Sequence, residues 1–136
     1  MVVGTPTLLA SHGKLTTPQD LEKLPCVALA PFESDRIPLT SQKGKTVVIS
    51  PTARITTNNI FALRQATLAS AGFSVMPRWF ITNELQSLQL VDALPAWRAP
   101  TLTIHVASSP GRHQPKRLRH FLSTIETAIT QISGIV

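Results

Sequence analysis

The sequence has one cysteine, no tyrosine and an aromatic content of only 5%. A single cysteine excludes an intrachain disulfide and a zinc site built from several cysteines. No apolar run approaches the ~18–20 residues that a membrane-spanning helix needs. The first residues carry neither the basic block nor the apolar block of a signal peptide. We therefore expect a soluble protein of the reducing cytoplasm that makes no contact with a membrane.

Catalytic motifs are also missing. The chain contains no nucleophile elbow, phosphate-binding loop, dinucleotide fingerprint or zinc-protease helix motif. Its seven acidic residues form no spaced pair that indicates acid–base catalysis, and its four histidines are scattered. Cys26 opens an apolar segment, which is typical of an inert buried thiol. The sequence therefore predicts a protein that is not an enzyme and has no catalytic residue, metal site or cofactor.

The chain does contain enough apolar sequence for a core of its own. It has 136 residues, of which 43% are hydrophobic, a length typical of one domain. Lys and Arg number 13 against seven Asp and Glu, which gives a formal net charge of +6. This charge is compatible with an anionic partner but does not require one.

Proline, glycine and capping residues divide the chain into alternating helices and strands. A layered α/β fold with a partly parallel sheet and helices on both faces follows from this alternation. The loop at 42–45 predicts a hairpin, and the region 95–100 reads as a turn. Helices are predicted over 5–13, 17–25, 60–71, 78–87 and 115–133, and strands over 26–30, 37–40, 46–50, 73–77, 88–94 and 101–107.

Two helix starts carry polar side chains that fit a small anionic ligand. Free backbone N–H groups at the positive end of a helix dipole bind carboxylates or phosphates without Lys or Arg. The run at positions 56–59 offers four capping residues where a helix needs one, although simple capping is the alternative at each start. Met76 ends a short strand, where α/β sheets place ligands, and would form an apolar wall. The candidate binding residues are Thr5, Thr7, Thr57, Asn58, Asn59 and Met76.

A basic cluster gives an alternative interpretation. Arg112, Lys116, Arg117 and Arg119 lie at the start of the last predicted helix, where cations oppose the helix dipole. They fit a nucleic-acid-binding or structural interaction module that contacts phosphates. No aromatic residues that would stack on bases are interleaved with them, and a solvated helix face is the favoured explanation of the cluster.

Several segments, in order, resemble the effector-binding domain of LysR-type transcriptional regulators. Residues 5–13 resemble the segment S-P-x-Y-L-x-x-H-G of that family, with Leu8 where tyrosine is usual. Residues 17–21 are similar to its T-P-x-D-L, and residues 71–80 to its G-x-G-I-x-x-L-P-x-W. Weaker similarities follow at residues 94–97 and 120–122, so that the resemblance covers nearly the whole chain.

The resemblance implies one periplasmic-binding-protein-like (type II) α/β lobe with a mixed sheet flanked by helices, and only an incomplete part of the other lobe. Residues from about 5 to 88 would form the second lobe of the family, and residues from about 89 to 136 the return into its first lobe. A small effector, such as a carboxylate, would bind between lobes and shift the DNA-binding geometry. The family's winged helix-turn-helix is absent from this sequence, so that contact with DNA would pass through that missing region. A homodimer paired through first lobes is also implied.

Overall fold

The computed structural model describes residues 1–31, 36–101 and 116–132. The chain divides into two compact units, residues 1–100 and residues 101–136. Strands and short helices alternate in the described part of the first unit, whereas the described part of the second unit is one helix. Among the described residues, no helix is long and apolar enough to cross a membrane.

The first unit begins with a strand that leads directly into a helix. The elements in chain order are β1 (Val2–Gly4), α1 (Pro6–Ala10), a 3-10 helix (Pro18–Lys23), β2 (Cys26–Leu29), β3 (Ile37–Ser41), β4 (Thr46–Ile49), β5 (Ala53–Thr57), α2 (Ile60–Leu68), β6 (Ser74–Val75), a second 3-10 helix (Arg78–Ile81), α3 (Thr82–Gln86), β7 (Val91–Asp92) and β8 (Trp97–Arg98).

Five of these strands form one mixed layer. β5 pairs in parallel with β2, and β1 pairs antiparallel with β6 on one side and with β7 on the other. A parallel bridge between Cys26 and Phe73 joins the two groups, supported by a bond of 2.8 Å from Val27 N to Phe73 O. The strand order is therefore β5-β2-β6-β1-β7. β2, β5 and β6 end at the same edge of this layer, which we call the carboxyl edge. β1 ends at the other edge, which we call the opposite edge.

The remaining strands form a small antiparallel sheet in the order β4-β3-β8. The predicted hairpin is confirmed, with Ile37 opposite Ile49 and Thr40 opposite Thr46. Gly44 takes a φ of +82° in its turn, a backbone conformation that favours glycine. The turn predicted over 95–100 is wrong in part, because β8 pairs with the end of β3.

Two apolar clusters hold this unit together. One surrounds the buried ring of Phe73, and the other packs Leu63 of α2 against the sheet. Thr67, one turn after Leu63, is fully buried, and its Oγ1 donates to Leu63 O at 2.8 Å and bonds Ser74 Oγ at 2.9 Å. The helix is thus fixed to the sheet by packing and by a satisfied pair of hydroxyls.

Several boundaries differ from the prediction for local physical reasons. α2 ends at Leu68 rather than near residue 71, because Ser70 adopts a left-handed backbone with a φ of 59°. The helix predicted over 17–25 is a single 3-10 helix. β1 and β5 were not predicted: β1 has only three residues, and the exposed Arg54, Ile55 and Thr56 give β5 no alternating pattern.

The second unit contains α4 (Lys116–Thr130), which confirms the helix predicted over 115–133. Apolar residues at helical spacing form the predicted stripe of this helix: Leu118, Phe121, Leu122, Ile125, Ala128, Ile129 and Ile132. Four of them are half-buried, whereas Phe121, Ala128 and Ile132 are exposed. The strand predicted over 101–107 lies, beyond Thr101, outside the described residues. The division of the chain into lobes near residue 88 stays a prediction.

Candidate functional site

Thr5 and Thr7 lie at the opposite edge, around the start of α1. The Thr5 hydroxyl accepts a hydrogen bond from Leu8 N at 3.3 Å and bonds Ser70 Oγ at 2.6 Å. Only 7% of Thr5 is exposed, so this hydroxyl caps α1 and ties it to the end of α2. Thr7 is exposed. An open depression of about 590 Å³ is lined here by Thr5, Pro6, Thr7, Leu68, Ser70, Leu88 and Gln89.

The run of capping residues lies at the carboxyl edge and has mostly structural roles. Thr57 ends β5, where it pairs with Leu29, and its Oγ1 accepts from Asn59 N at 3.1 Å. Asn59 is the N-cap of α2, and its Oδ1 accepts from Phe61 N at 2.8 Å and from Ala62 N at 3.3 Å. The cap of α2 is thus Asn59 alone, and the Thr57 hydroxyl is occupied by the backbone of that cap residue. Effector binding by Thr57 and Asn59 stays a prediction.

Asn58 differs from its neighbours. Its side chain is exposed and makes no hydrogen bond with another described residue. The first turn of α2 contains no acidic residue, so that no carboxylate of its own neutralises the positive end of the helix dipole. Asn58 therefore offers an amide to solvent beside a helix start that favours an anion.

Met76 follows β6 at the carboxyl edge, with its N–H bonded to Met1 O at 3.0 Å. Its side chain is 1% exposed and packs in the core cluster with Val3, Val27 and Leu63. Its contacts are those of a core residue, so that Met76 presents no apolar wall at the surface. Its assignment as a binding residue stays a prediction that these contacts do not support.

The six candidate residues therefore do not share one site. β1 runs antiparallel to β6, with Val2 opposite Val75 and Val3 opposite Ser74. Thr5, after the end of β1, lies at one edge of the layer, whereas Asn58 and Met76 follow strands that end at the other. Thr5 and Thr7 were grouped with the other four candidates, but the direction of β1, a strand that the sequence did not reveal, separates them from the start of α2. Effector binding at these residues stays a prediction.

The structure adds a group of aromatic residues at the carboxyl edge that sequence reasoning missed. We call Phe61, Trp79 and Phe80 the aromatic ridge. The ring centroids of Phe61 and Phe80 lie 5.4 Å apart, and those of Trp79 and Phe80 lie 5.7 Å apart, both pairs edge to face. Phe61 is 62% exposed and Trp79 is 46% exposed. Phe61 lies off the buried face of α2 that Leu63 marks, and that spacing is the signal that could have identified it.

The carboxyl groups with shifted pKa values have structural roles. Hydrogen bonds from Thr16 N at 3.0 Å and Thr17 N at 2.9 Å hold the pKa of Asp20 well below its usual range. Burial raises the pKa of Asp92 on β7, and a bond from Leu94 N opposes this shift. Within the described ranges, no group of three or more His, Cys, Asp or Glu residues could hold a metal ion.

The basic cluster is described only in part. Lys116, Arg117 and Arg119 are exposed on α4, and none forms an ion pair with another described residue. Arg112 lies outside the described residues. The alternative interpretation of this cluster as a nucleic-acid-binding module stays a prediction.

Comparison with known proteins gives consistent relatives. The sequence profile described as "LysR substrate binding domain" matches residues 1–129. The chain is 26% identical over 125 residues to the HTH-type transcriptional regulator PtxR of Pseudomonas aeruginosa, and the match covers 92% of this chain and 40% of that protein.

Solved structures agree. Full-length AphB, the Vibrio cholerae virulence activator and a member of the LTTR protein family, is similar with a TM-score of 0.66 and 26% identity. The match covers 74% of this chain and 34% of AphB. The regulatory domain of AphB from Vibrio vulnificus, at 24% identity and a TM-score of 0.71, shows the fold over 94% of this chain and 63% of that domain.

The chain therefore spans 40% of its curated relative and less than two thirds of these solved structures. The relatives are transcriptional regulators and not enzymes, which agrees with the lack of a catalytic motif in this sequence. The α/β arrangement with a periplasmic-binding-protein-like (type II) fold, predicted from the resemblance, is confirmed by these neighbours. Since the profile covers nearly the whole chain, this protein belongs to the family of LysR-type substrate-binding domains.

Proposed function

We propose that this chain senses a small carboxylate effector for a LysR-type transcriptional regulator and binds it at the carboxyl edge, around Asn58 and the start of α2. The regulator acts in the cytoplasm as a homodimer, and DNA is contacted by a winged helix-turn-helix outside this sequence. Membership of the family supports this function. The depression beside Thr5 and Thr7 is not part of the proposed site, because it lies at the other edge of the layer.

The observation that carries the proposal is the position of the start of α2. α2 follows β5. Because β5, β2 and β6 run parallel, these three strands all end at the carboxyl edge. In open α/β sheets, ligands bind outside the carboxyl ends of the parallel strands. Asn58 supplies an exposed amide there, and the dipole of a nine-residue helix favours a negative charge at this point.

The proposed mechanism is a shift of populations. An effector held between this edge and another lobe stabilises the arrangement of lobes to which it binds more tightly. Reversal of an equilibrium from 1:99 to 99:1 requires about 5.5 kcal/mol of differential binding free energy. Direct contacts with both lobes would supply that difference, and the altered arrangement would reposition the attached DNA-binding regions.

Isothermal titration calorimetry with a panel of small carboxylates tests the proposal. Asn58→Asp places a negative charge beside the bound carboxylate without a change of size. At a partly solvated separation of a few ångströms this repulsion costs about 1 kcal/mol or more, so that we expect about tenfold weaker binding. The thermal midpoint of the unliganded chain should not fall, because the Asn58 side chain is exposed and the start of α2 favours a negative charge.

Gln19→Glu is the matched control. Gln19 is exposed in the first 3-10 helix, before β2 begins, and this substitution changes the net charge by the same amount. We expect carboxylate affinity within twofold of the wild type in Gln19→Glu. An equal loss of affinity in both variants would show that the effect arises from net charge alone. Unchanged affinity in Asn58→Asp would exclude Asn58 from the site.

A further inference from the structure

We propose that the effector carries an aromatic ring, and that Phe61 and Trp79 of the aromatic ridge select it. This inference rests on the proposed function, since it names the chemical class of the ligand at the same edge. The carboxylate would lie at the start of α2 and the ring against the exposed side chains of the ridge.

The ridge and the proposed carboxylate site are continuous. Phe61 lies in the first turn of α2, and its N–H donates to the capping oxygen of Asn59 at 2.8 Å. Trp79 and Phe80 follow β6, which ends at the same edge as β5. The contact between the Phe61 and Phe80 rings at 5.4 Å joins the two chain segments. A ligand at the start of α2 therefore has an aromatic surface within one helical turn.

The central ring of the ridge is held in place from below. The guanidinium carbon of Arg64 lies 5.1 Å from the centroid of Phe80, at a distance typical of a cation–π contact. Arg64 also pairs with Glu84 of α3 at 3.4 Å, and both side chains are largely buried. Phe80 packs against the second core cluster. Because these contacts hold the Phe80 ring in place, the Phe61 and Trp79 rings pack against a fixed neighbour.

The exposure of the outer rings has no explanation within the described part of the fold. The sequence has only seven aromatic residues, five Phe and two Trp, and three of them lie in this ridge. Phe73 shows the ordinary role, with 0% of its surface exposed, whereas Phe61 and Trp79 are 62% and 46% exposed. Adjacent exposed rings mark a binding surface, and rings recognise other rings through edge-to-face and offset-stacked contacts.

The test compares matched pairs of acids by calorimetry on the full chain. Benzoate is compared with cyclohexanecarboxylate, and phenylacetate with cyclohexylacetate, because each pair has the same carboxylate and a similar size but only one π system. We expect the aromatic acid of each pair to bind about three- to tenfold more tightly. Phe61→Leu and Trp79→Leu should reduce that preference to below twofold, because leucine offers an apolar contact to both kinds of ring but no π system.

Phe121→Leu is the matched control, because Phe121 is 59% exposed on α4, in the other unit. It should retain the full preference for the aromatic acids. Circular dichroism of each variant checks that the fold is kept, as expected for substitutions of exposed rings.

The outcomes separate this inference from the proposed function. Equal binding of the aromatic and saturated acids, with a loss in Asn58→Asp, would leave the proposed function standing and overturn the inference. Binding of no acid would overturn both. A preference that survives in Phe61→Leu and Trp79→Leu would also overturn it. Self-association that Phe61→Leu abolishes, without a change of preference, would assign the ridge to an interface between copies of this chain.

Discussion

Gly72 controls the junction on which the carboxyl edge depends, and its replacement by alanine is a direct test of that junction. A Cβ atom at position 72 would lie 2.6 Å from Pro25 O and 2.9 Å from the carbonyl carbon of Cys26. Both are backbone atoms, so that no side chain can rotate away. The strand after Gly72 would have to move away from the start of β2.

The size of the effect follows from the contacts at this junction. A separation of 2.6 Å is about 0.7 Å short of a comfortable carbon–oxygen contact of ~3.3 Å. Relief of that overlap stretches two hydrogen bonds, from Phe73 N to Pro25 O at 2.9 Å and from Val27 N to Phe73 O at 2.8 Å. Overpacking costs about 1–3 kcal/mol, and each weakened bond adds up to about 1 kcal/mol. We expect Gly72→Ala to lower the free energy of unfolding by about 2–4 kcal/mol.

Urea denaturation followed by tryptophan fluorescence measures this loss. Trp79 and Trp97 both lie in the first unit, and so the signal reports the unit that contains the junction. With a slope of about 2 kcal/mol per molar urea, the urea midpoint should fall by about 1–2 M. Gly44→Ala is the control: its Cβ would meet nothing within 4 Å, and only its φ of +82° opposes the change, at about 1 kcal/mol. A Gly72→Ala variant within 0.5 kcal/mol of the wild type would refute the packing described at this junction.

Two further predictions concern strain and pH. Leu88 has a φ of 57° and is 68% exposed, so that Leu88→Gly should raise the free energy of unfolding by about 0.5–1 kcal/mol in the same assay. Leu85→Gly, within α3, is the control and should lower that free energy. A lower free energy of unfolding in both variants would contradict the strain at position 88. Asp20→Asn should lower the thermal midpoint at pH 7, because its folded pKa is lowered by the bonds from Thr16 N and Thr17 N. That contribution is present above the unfolded pKa of about 3.9 and is lost as the pH falls through the folded value. The difference in thermal midpoint between Asp20→Asn and the wild type should therefore begin to narrow below about pH 4 and continue to narrow as the pH falls further. A difference independent of pH would contradict the role of the charge.

The sequence predicted elements that local signals specify. The Thr5 cap and Pro6 mark α1, a glycine turn marks the β3–β4 hairpin, and the periodic apolar stripe marks α4. In each case the residues that determine the element lie within it or next to it in the sequence. Such signals are visible without knowledge of tertiary partners.

Three of the short strands could not be predicted in the same way. β1, β5 and β8 exist because distant segments offer hydrogen-bond partners: β1 lies between residues 74–75 and 91–92. β5 is exposed along Arg54, Ile55 and Thr56 and carries no alternating pattern. Their existence depends on pairing over long sequence separations, and no local propensity encodes that pairing.

The candidate site was predicted in part for the same reason. The start of α2 was identified from its capping residues, but Thr5 and Thr7 were grouped with it although they lie at the opposite edge. The direction of β1 decides that separation, and β1 was not predicted. The aromatic ridge also required tertiary structure, because Phe61 of α2 and Phe80 of the second 3-10 helix are distant in sequence and meet only in the folded chain.

Chemical-shift mapping by NMR, with the tightest-binding carboxylate titrated into the ¹⁵N-labelled chain, tests the location of the effector site most directly. We predict that the largest changes in amide shifts occur at Asn58, Asn59 and Phe61, at the start of α2. The amides of Thr5 and Thr7 should hardly change, because they lie at the other edge of the layer. Changes centred on Thr5 and Thr7, with none at Asn58 and Asn59, would contradict the proposed site.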